Sequence, residues 1–209
     1  MMKKTLVVMM ALAALGATAE LDKEILLNEG KLIAVLKRAE ISDNDKVTAC
    51  QNLGWCGTRT AIGPLTMLLA SEKPVLRHAA RYGLEMIPDP EVEKAFCEKA
   101  GRLTGPALVG VLQSLGNLKP EQTGRSVWAA LVGGSGHACS VVLLRGRMSD
   151  GDKSVAGAAV QSLGKIATPE AMAALKAGLG KCPCVAVAYL NGAGKVACSD
   201  AAKASAYYA

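Results

Sequence analysis

The sequence predicts an all-α protein, a right-handed α–α superhelix built from about four to five helix pairs. A corner phrase recurs along the chain as Leu53-Gly54, Leu84-Glu85, Leu115-Gly116 and Leu163-Gly164. Two of its intervals are equal, at 31 residues (84 − 53 and 115 − 84). A period in this range with two amphipathic helices per unit marks stacked helix pairs, because one pair cannot bury its apolar stripe alone. Aromatic residues make up only 3% of the chain, which is dominated by Ala, Leu, Gly and Val. That composition suits close-packed short helices and opposes an all-β domain, which draws on β-branched and aromatic residues.

The N-terminus reads as a targeting segment. Lys3 and Lys4 precede an apolar run from Thr5 to Leu15, and Ala17-Thr18-Ala19 is an A-x-A cleavage pattern. Cleavage between Ala19 and Glu20 leaves 190 residues (209 − 19), one repeat domain over 20–209. The run is shorter than the roughly 20 residues of a membrane helix, and no later segment approaches that length. The expectation is an exported chain, periplasmic or secreted, with no membrane span after signal removal.

The elements follow in order. From Asp22 to about Ala39, Ile25, Leu26, Leu32, Ile33 and Leu36 form one stripe, weakened at Gly30. Ser42 or Asp43 caps the next helix, which turns Val47, Cys50 and Leu53 inward. Past the Gly57-Thr58 corner, a helix carries Ile62, Leu65 and Leu68, with Pro64 expected in its first turn. The second pair begins after Ser71. Leu76, Ala79, Ala80, Gly83, Leu84 and Ile87 mark its first helix, and Val92, Phe96, Ala100 and Leu103 its second. Asp89 N-caps that second helix, with Pro90 at its first position. Thr104 caps a helix running through Leu118.

The period then breaks. Leu163 lies 48 residues after Leu115 (163 − 115), 17 beyond the repeat, and the surplus falls within an irregular insert at about 121–150. The insert reads as a structurally neutral short helix or excursion between repeats, with Val127, Trp128 and Leu131 in one helix and Val141, Leu143 and Leu144 in another. Regularity returns with Val155, Ala158, Ala159, Leu163 and Ile166. Thr168 caps the next helix ahead of Pro169, and Met172, Leu175 and Leu179 form its stripe. The tail beyond Cys182 has a weaker helical signal and ends at Tyr207-Tyr208.

The phrases Ala159-Val160-Gln161-Ser162-Leu163-Gly164-Lys165-Ile166-Ala167-Thr168-Pro169-Glu170-Ala171 and Asn52-Leu53-Gly54-Trp55-Cys56-Gly57-Thr58 resemble HEAT-like repeats of the phycobilin-lyase type. From Lys46 to Leu118 the chain is similar to exported bacterial HEAT-repeat proteins, through the blocks Ala80–Pro90 and Gly105–Val111. The 121–150 region departs from that pattern. The resemblance implies a HEAT-like solenoid that serves as a repeat scaffold of unassigned activity. The lyase name belongs to the repeat and implies no chromophore chemistry.

Candidate sites are few. Arg77, Arg81, Tyr82, Glu85 and Asp89 gather at one corner. They form either a recognition patch on the rim or a local device in which Arg81 and Glu85, four apart, pair and fix the corner angle. His137, Cys139, Cys182, Cys184 and Cys198 are potential soft metal ligands, but a C-x-C pair with distant partners does not match zinc spacing. Seven cysteines leave at least one unpaired within a monomer, and free, part-buried thiols are the favoured reading over a disulfide among Cys182, Cys184 and Cys198. Cys50 and Cys97 fall in apolar helical patterns as small hydrophobes.

Nothing in the sequence assembles a catalytic set, a cofactor site or a metal site: His78 and His137 lie in unrelated contexts, and Gly133–Gly136 lacks the Lys-Ser/Thr of a phosphate loop. Removing two signal lysines lowers the net charge from +6 to +4 (6 − 2), with no basic–aromatic cluster for nucleic acid. The expected role is a protein–protein interaction scaffold in the cell envelope, holding an unidentified protein partner on a concave second-helix surface. The sequence carries no signal for oligomeric state. The rivals are an enzyme or accessory subunit of envelope carbohydrate metabolism, and a metal- or redox-linked module built on the C-terminal cysteines. Intact mass measurement of the exported protein tests the first step: the expected chain begins at Glu20, and retention of residues 1–19 contradicts the signal assignment.

Overall fold

A computed structural model describes residues 28–119, 122, 138–180 and 183–199. The signal segment, its cleavage point at Ala19 and Glu20, the 127–131 stretch and the Tyr207-Tyr208 tail lie outside these residues. The described residues form ten helices: α1 (Glu29–Lys37), α2 (Asp43–Cys56), α3 (Arg59–Leu68), α4 (Pro74–Met86), α5 (Glu91–Ala100), α6 (Gly105–Leu115), α7 (Ala138–Arg147), α8 (Lys153–Ile166), α9 (Pro169–Ala177) and α10 (Pro183–Ser199). They stack in two layers. The helices α2, α4, α6, α8 and α10 pack in succession as a first-helix layer, and α1, α3, α5, α7 and α9 cover them. The result is an α-solenoid with four complete pairs, α2–α3 through α8–α9, sharing one continuous apolar core.

Local chemistry places most helix starts. Asn28 accepts from the Lys31 amide (3.1 Å), so α1 begins at Glu29 although the apolar stripe starts earlier. Ser42 resolves the second cap, accepting from the Asp45 amide (3.2 Å). Asp152 accepts from Ser154 (2.8 Å) and Thr168 from Ala171 (3.3 Å). Thr104 occupies its cap position without a side-chain bond, and Gly105 beside it has φ +53°, a left-handed backbone that glycine adopts freely. The Glu29 carboxylate crosses from α1 to the start of α3, accepting from the Thr58 amide (2.7 Å) and hydroxyl (3.0 Å). Burial pushes the Glu29 carboxyl up, but the Thr58 and Thr60 hydrogen bonds outweigh it and hold the group below its usual range.

Three expectations need correction. Pro64 stands in the interior of α3, not its first turn, because Thr58 starts that helix and buries Ala61, Ile62 and Leu65. The donor that Pro64 lacks would have served the Thr60 carbonyl, and Thr60 is exposed to water. The stripe of α9 is Ala171, Ala174 and Leu175 with Met172 packed at its edge; the helix ends at Ala177, and Leu179 lies exposed past it. The third concerns the insert. The helix bearing Val141, Leu143 and Leu144 is α7, and it packs between α5 and α9 against α8 as part of the second layer. The surplus therefore lies between α6 and α7, and α7 itself belongs to the stack and is not an excursion from it.

The first-helix layer is held at near-contact distance by small residues. A Cβ on Gly54 would lie 3.2 Å from the Gly83 Cα, and one on Gly83 only 2.6 Å from the Cys50 carbonyl oxygen. The same crossing recurs at Gly116 against Ser162 (2.8 Å) and at Gly164 against the Ala188 carbonyl oxygen (2.7 Å). Gly157, by contrast, faces open space. Gly83→Ala is expected to lower unfolding stability by about 1–3 kcal/mol, since backbone must move to admit the methyl. Gly157→Ala is expected to raise it by about 0.5–1 kcal/mol through helix propensity. Denaturant titration of both variants checks this, and an unchanged midpoint for Gly83→Ala contradicts the crossing.

Candidate functional site

Four of the five corner residues stand on α4 and Asp89 follows it; Arg77, Arg81 and Asp89 have local tasks, while Tyr82 is exposed. Arg77 donates to the carbonyls of Ser71 (2.7 Å) and Glu72 (2.9 Å), closing the turn before α4. Arg81 is half-buried and donates to the Gly110 carbonyl (2.9 Å), with His78 Nδ1 at 3.2 Å. Its guanidinium carbon fills the place of a Gly110 side chain, 2.8 Å from where a Cβ would stand. The expected direct pair with Glu85 is not among the ion pairs of the described residues; Glu85 acts on Arg81 as a charge at longer range. Burial lowers the Arg81 pKa, and Glu85 opposes that shift. Asp89 caps as expected, accepting from the Glu91 amide (2.8 Å), although regular helix begins at Glu91 with Pro90 in helical geometry just before it.

Gln122 completes this corner. Its buried side-chain amide donates to the carbonyls of Leu84 (3.1 Å), Glu85 (2.8 Å) and Ile87 (2.8 Å), while its oxygen accepts from the Lys119 amide (2.8 Å). The Leu84 carbonyl also accepts from the Ile87 amide (3.2 Å) and that of Ile87 from the Asp89 amide (3.0 Å), so Gln122 adds a second partner to these two and supplies one to Glu85 at the end of α4. Sequence reasoning missed it, because Gln122 falls in the stretch read as an excursion.

Counting from the corner leucines exposes a second pattern. Two residues before each stand Gln51, Tyr82, Gln113 and Gln161, all exposed and all in the first-helix layer. Trp55 (73% exposed) and Val187 (59%) extend this face at α2 and α10. A groove of about 620 Å³ between α8 and α10 is lined by Gln161, Lys165, Val187 and Asn191. Another of about 340 Å³ beside α6 is lined by Arg81, Val109 and Gln113. This layer exposes the charged Asp45, Lys153, Lys165 and Lys195, and half-buries Arg77, Arg81 and Glu85. The opposite layer exposes Arg59, Lys94, Glu98, Arg145, Glu170 and Lys176, along with Met67 and Val142. Both layers expose charge, and the first-helix layer adds a row of amides and aromatics.

The cysteines differ from expectation. Cys97 and Cys139 form a disulfide between α5 and α7 with their Cα atoms 6.5 Å apart, and Cys184 is also disulfide-bonded. The reading of Cys97 as a free buried hydrophobe is thus corrected: α7 takes its place in the second layer and brings Cys139 beside it. Closing a loop of 42 residues is worth about 4 kcal/mol on chain-entropy grounds. Cys50 is free, and burial pushes its thiol up to about 12, leaving it inert; Cys56 is free and half-buried. His137, Cys182 and the side chain of Cys198 lie outside the described residues.

Residues 155–181, spanning α8 and α9, match the PBS lyase HEAT-like repeat. No curated protein matches the chain. Among solved structures the chain is similar to the designed armadillo repeat protein YIII(Dq)4CqI, at 16% identity over 78% of this chain and 79% of that one, with a TM-score of 0.44. No helix of the described residues is long and apolar enough to cross a membrane. The corner account predicts that Arg81→Met, losing the bond to Gly110, lowers stability by about 1–3 kcal/mol. Glu85→Gln should change it by less than about 0.5 kcal/mol, as a screened charge does. Chemical denaturation of the two variants checks the contrast, and equal effects would restore the direct-pair reading.

Proposed function

We propose that this chain, a HEAT-like repeat protein, is an exported scaffold that binds a protein partner in the cell envelope through its first-helix layer. The observation that carries the reading is the row of exposed uncharged side chains Gln51, Tyr82, Gln113 and Gln161 along one layer. Depletion of charge with aromatic and amide side chains marks the cores of protein interfaces, whereas a solvated face carries mixed charge. Tyr82 and Trp55 supply rigid area at low entropic cost, and the glutamines offer both donors and acceptors to a partner. The near-contact crossings also favour this layer as the inner, concave side, because the more tightly spaced layer of a curved stack lies inside. This favours a docking surface on the first helices over one on the second. An all-helical repeat stack supports binding over catalysis.

Affinity isolation from envelope extract tests the proposal, using the wild-type chain, a Tyr82→Ala/Gln113→Ala/Gln161→Ala variant and a Lys94→Ala/Glu98→Ala variant on the other layer. The expected result is one reproducible partner, retained by the second-layer variant and weakened at least tenfold, about 1.4 kcal/mol, in the first. Retention of the partner by the triple variant, or loss of it in the second-layer variant only, would move the interface to the second layer. Absence of any reproducible partner would overturn the scaffold reading.

A further inference from the structure

We propose that Glu93, Cys97 and Cys139 form, once their disulfide is reduced, a binding site for one thiophilic divalent ion such as Zn²⁺ between α5 and α7. The ligand atoms of the three residues all lie within 4.8 Å of one another. A tetrahedral ion with ligands at about 2.0–2.3 Å holds those atoms roughly 3.3–3.8 Å apart. The carboxylate therefore already stands near its required place, and only the two sulfurs must separate. Glu93 and Cys97 are four apart on α5 and share one face, while Cys139 comes from the first turn of α7.

Glu93 supplies the second observation. Its side chain is buried at 7% exposure, yet no ion pair of the described residues includes it. Its Oε1 accepts from the Ser140 amide (3.0 Å) and hydroxyl (2.6 Å), which fixes the carboxylate's orientation. A buried carboxylate costs several kcal/mol unless a cation or a full set of donors compensates it. The neighbouring disulfide is neutral and provides neither. A carboxylate oriented by a neighbouring donor and turned toward two sulfurs is how ligating carboxylates are held. Cys139 is exposed, so both a reductant and an ion can reach the pair.

The steps balance without further components. A dithiol reductant supplies two electrons and two protons, becoming a disulfide itself, and the Cys97–Cys139 bond opens to two thiols. The ion then displaces both thiol protons to solvent and takes the Glu93 carboxylate, with water at the fourth position. Disulfide and ion are alternative clasps across the same two helices, so α7 stays docked in either redox state.

Cobalt titration tests the site. Cys182→Ser/Cys184→Ser/Cys198→Ser protein, reduced and handled without oxygen, is titrated with Co²⁺ alone and followed by absorption. The expected result is a thiolate-to-cobalt charge-transfer band with tetrahedral d–d bands, saturating at one ion per chain, and absent from the oxidised protein. Cys97→Ser should abolish the band. Ser140→Ala, which leaves all three ligands in place, should weaken binding roughly 10- to 100-fold with the band shape kept. A reduced protein without the band, or a band that survives Cys97→Ser, overturns the proposal.

Discussion

The structure depends on how closely the first helices cross. Where α2 meets α4, the Gly83 Cα–H faces the Cys50 carbonyl with no room for a methyl, and Gly54 sits against Gly83 and Met86. At that spacing the helices pack backbone to backbone, and the corner leucines Leu53, Leu84, Leu115 and Leu163 drop fully buried between the layers. Ser162 uses the same proximity to donate to the Leu112 carbonyl at 2.7 Å, and Lys165 reaches Asn117 Oδ1 at 2.8 Å. With no bulk on the inner surface of each crossing, the residues two before the leucine are left to face outward. The composition of that face is thus free of packing constraints and available to recognition.

One junction is built differently. At α4 the position after the leucine is Glu85 where its counterparts are Gly54, Gly116 and Gly164. Here the helices α4 and α6 pack less closely than the other neighbours of their layer, and Arg81 fills the space against Gly110. Gln122 then seals the carbonyl end of α4, and Asp89 with Arg59 and Glu91 (Arg59–Glu91 2.8 Å) orders the start of α5. The corner residues that look like a recognition patch in sequence are chiefly the joint that carries the stack past a wider step. Tyr82 is the exception, since it points out with the glutamines.

Helix existence and most starts were legible, because apolar spacing and Ser, Asp and Thr caps are local signals. Asn28 and Thr58 lie in the same class and fix the first turns they precede. Pro64 was misplaced because burial of Ala61, Ile62 and Leu65 overrides a propensity that a local reading weighs alone. The disulfide and Gln122 were not legible for a different reason. The disulfide depends on where the chain returns after the long connection between α6 and α7, and Gln122, within that connection, reaches back 35 to 38 residues to the end of α4; such separations give no hint of adjacency. The uncharged row could have been read by counting back from each corner leucine; the signal was the repeated Gln at that register, with Tyr82 in its second copy.

A stack held at its first-helix crossings opens as neighbours, not as isolated helices. Native-state amide hydrogen exchange measures this directly. The account predicts that amides around Cys50, Gly83, Ser114 and Ser162 are the slowest in the chain and exchange with similar opening free energies, while α3 and α9 exchange faster. If protection is instead highest in the second-helix layer, or if α8 opens independently of α6, the crossings are not what holds the fold.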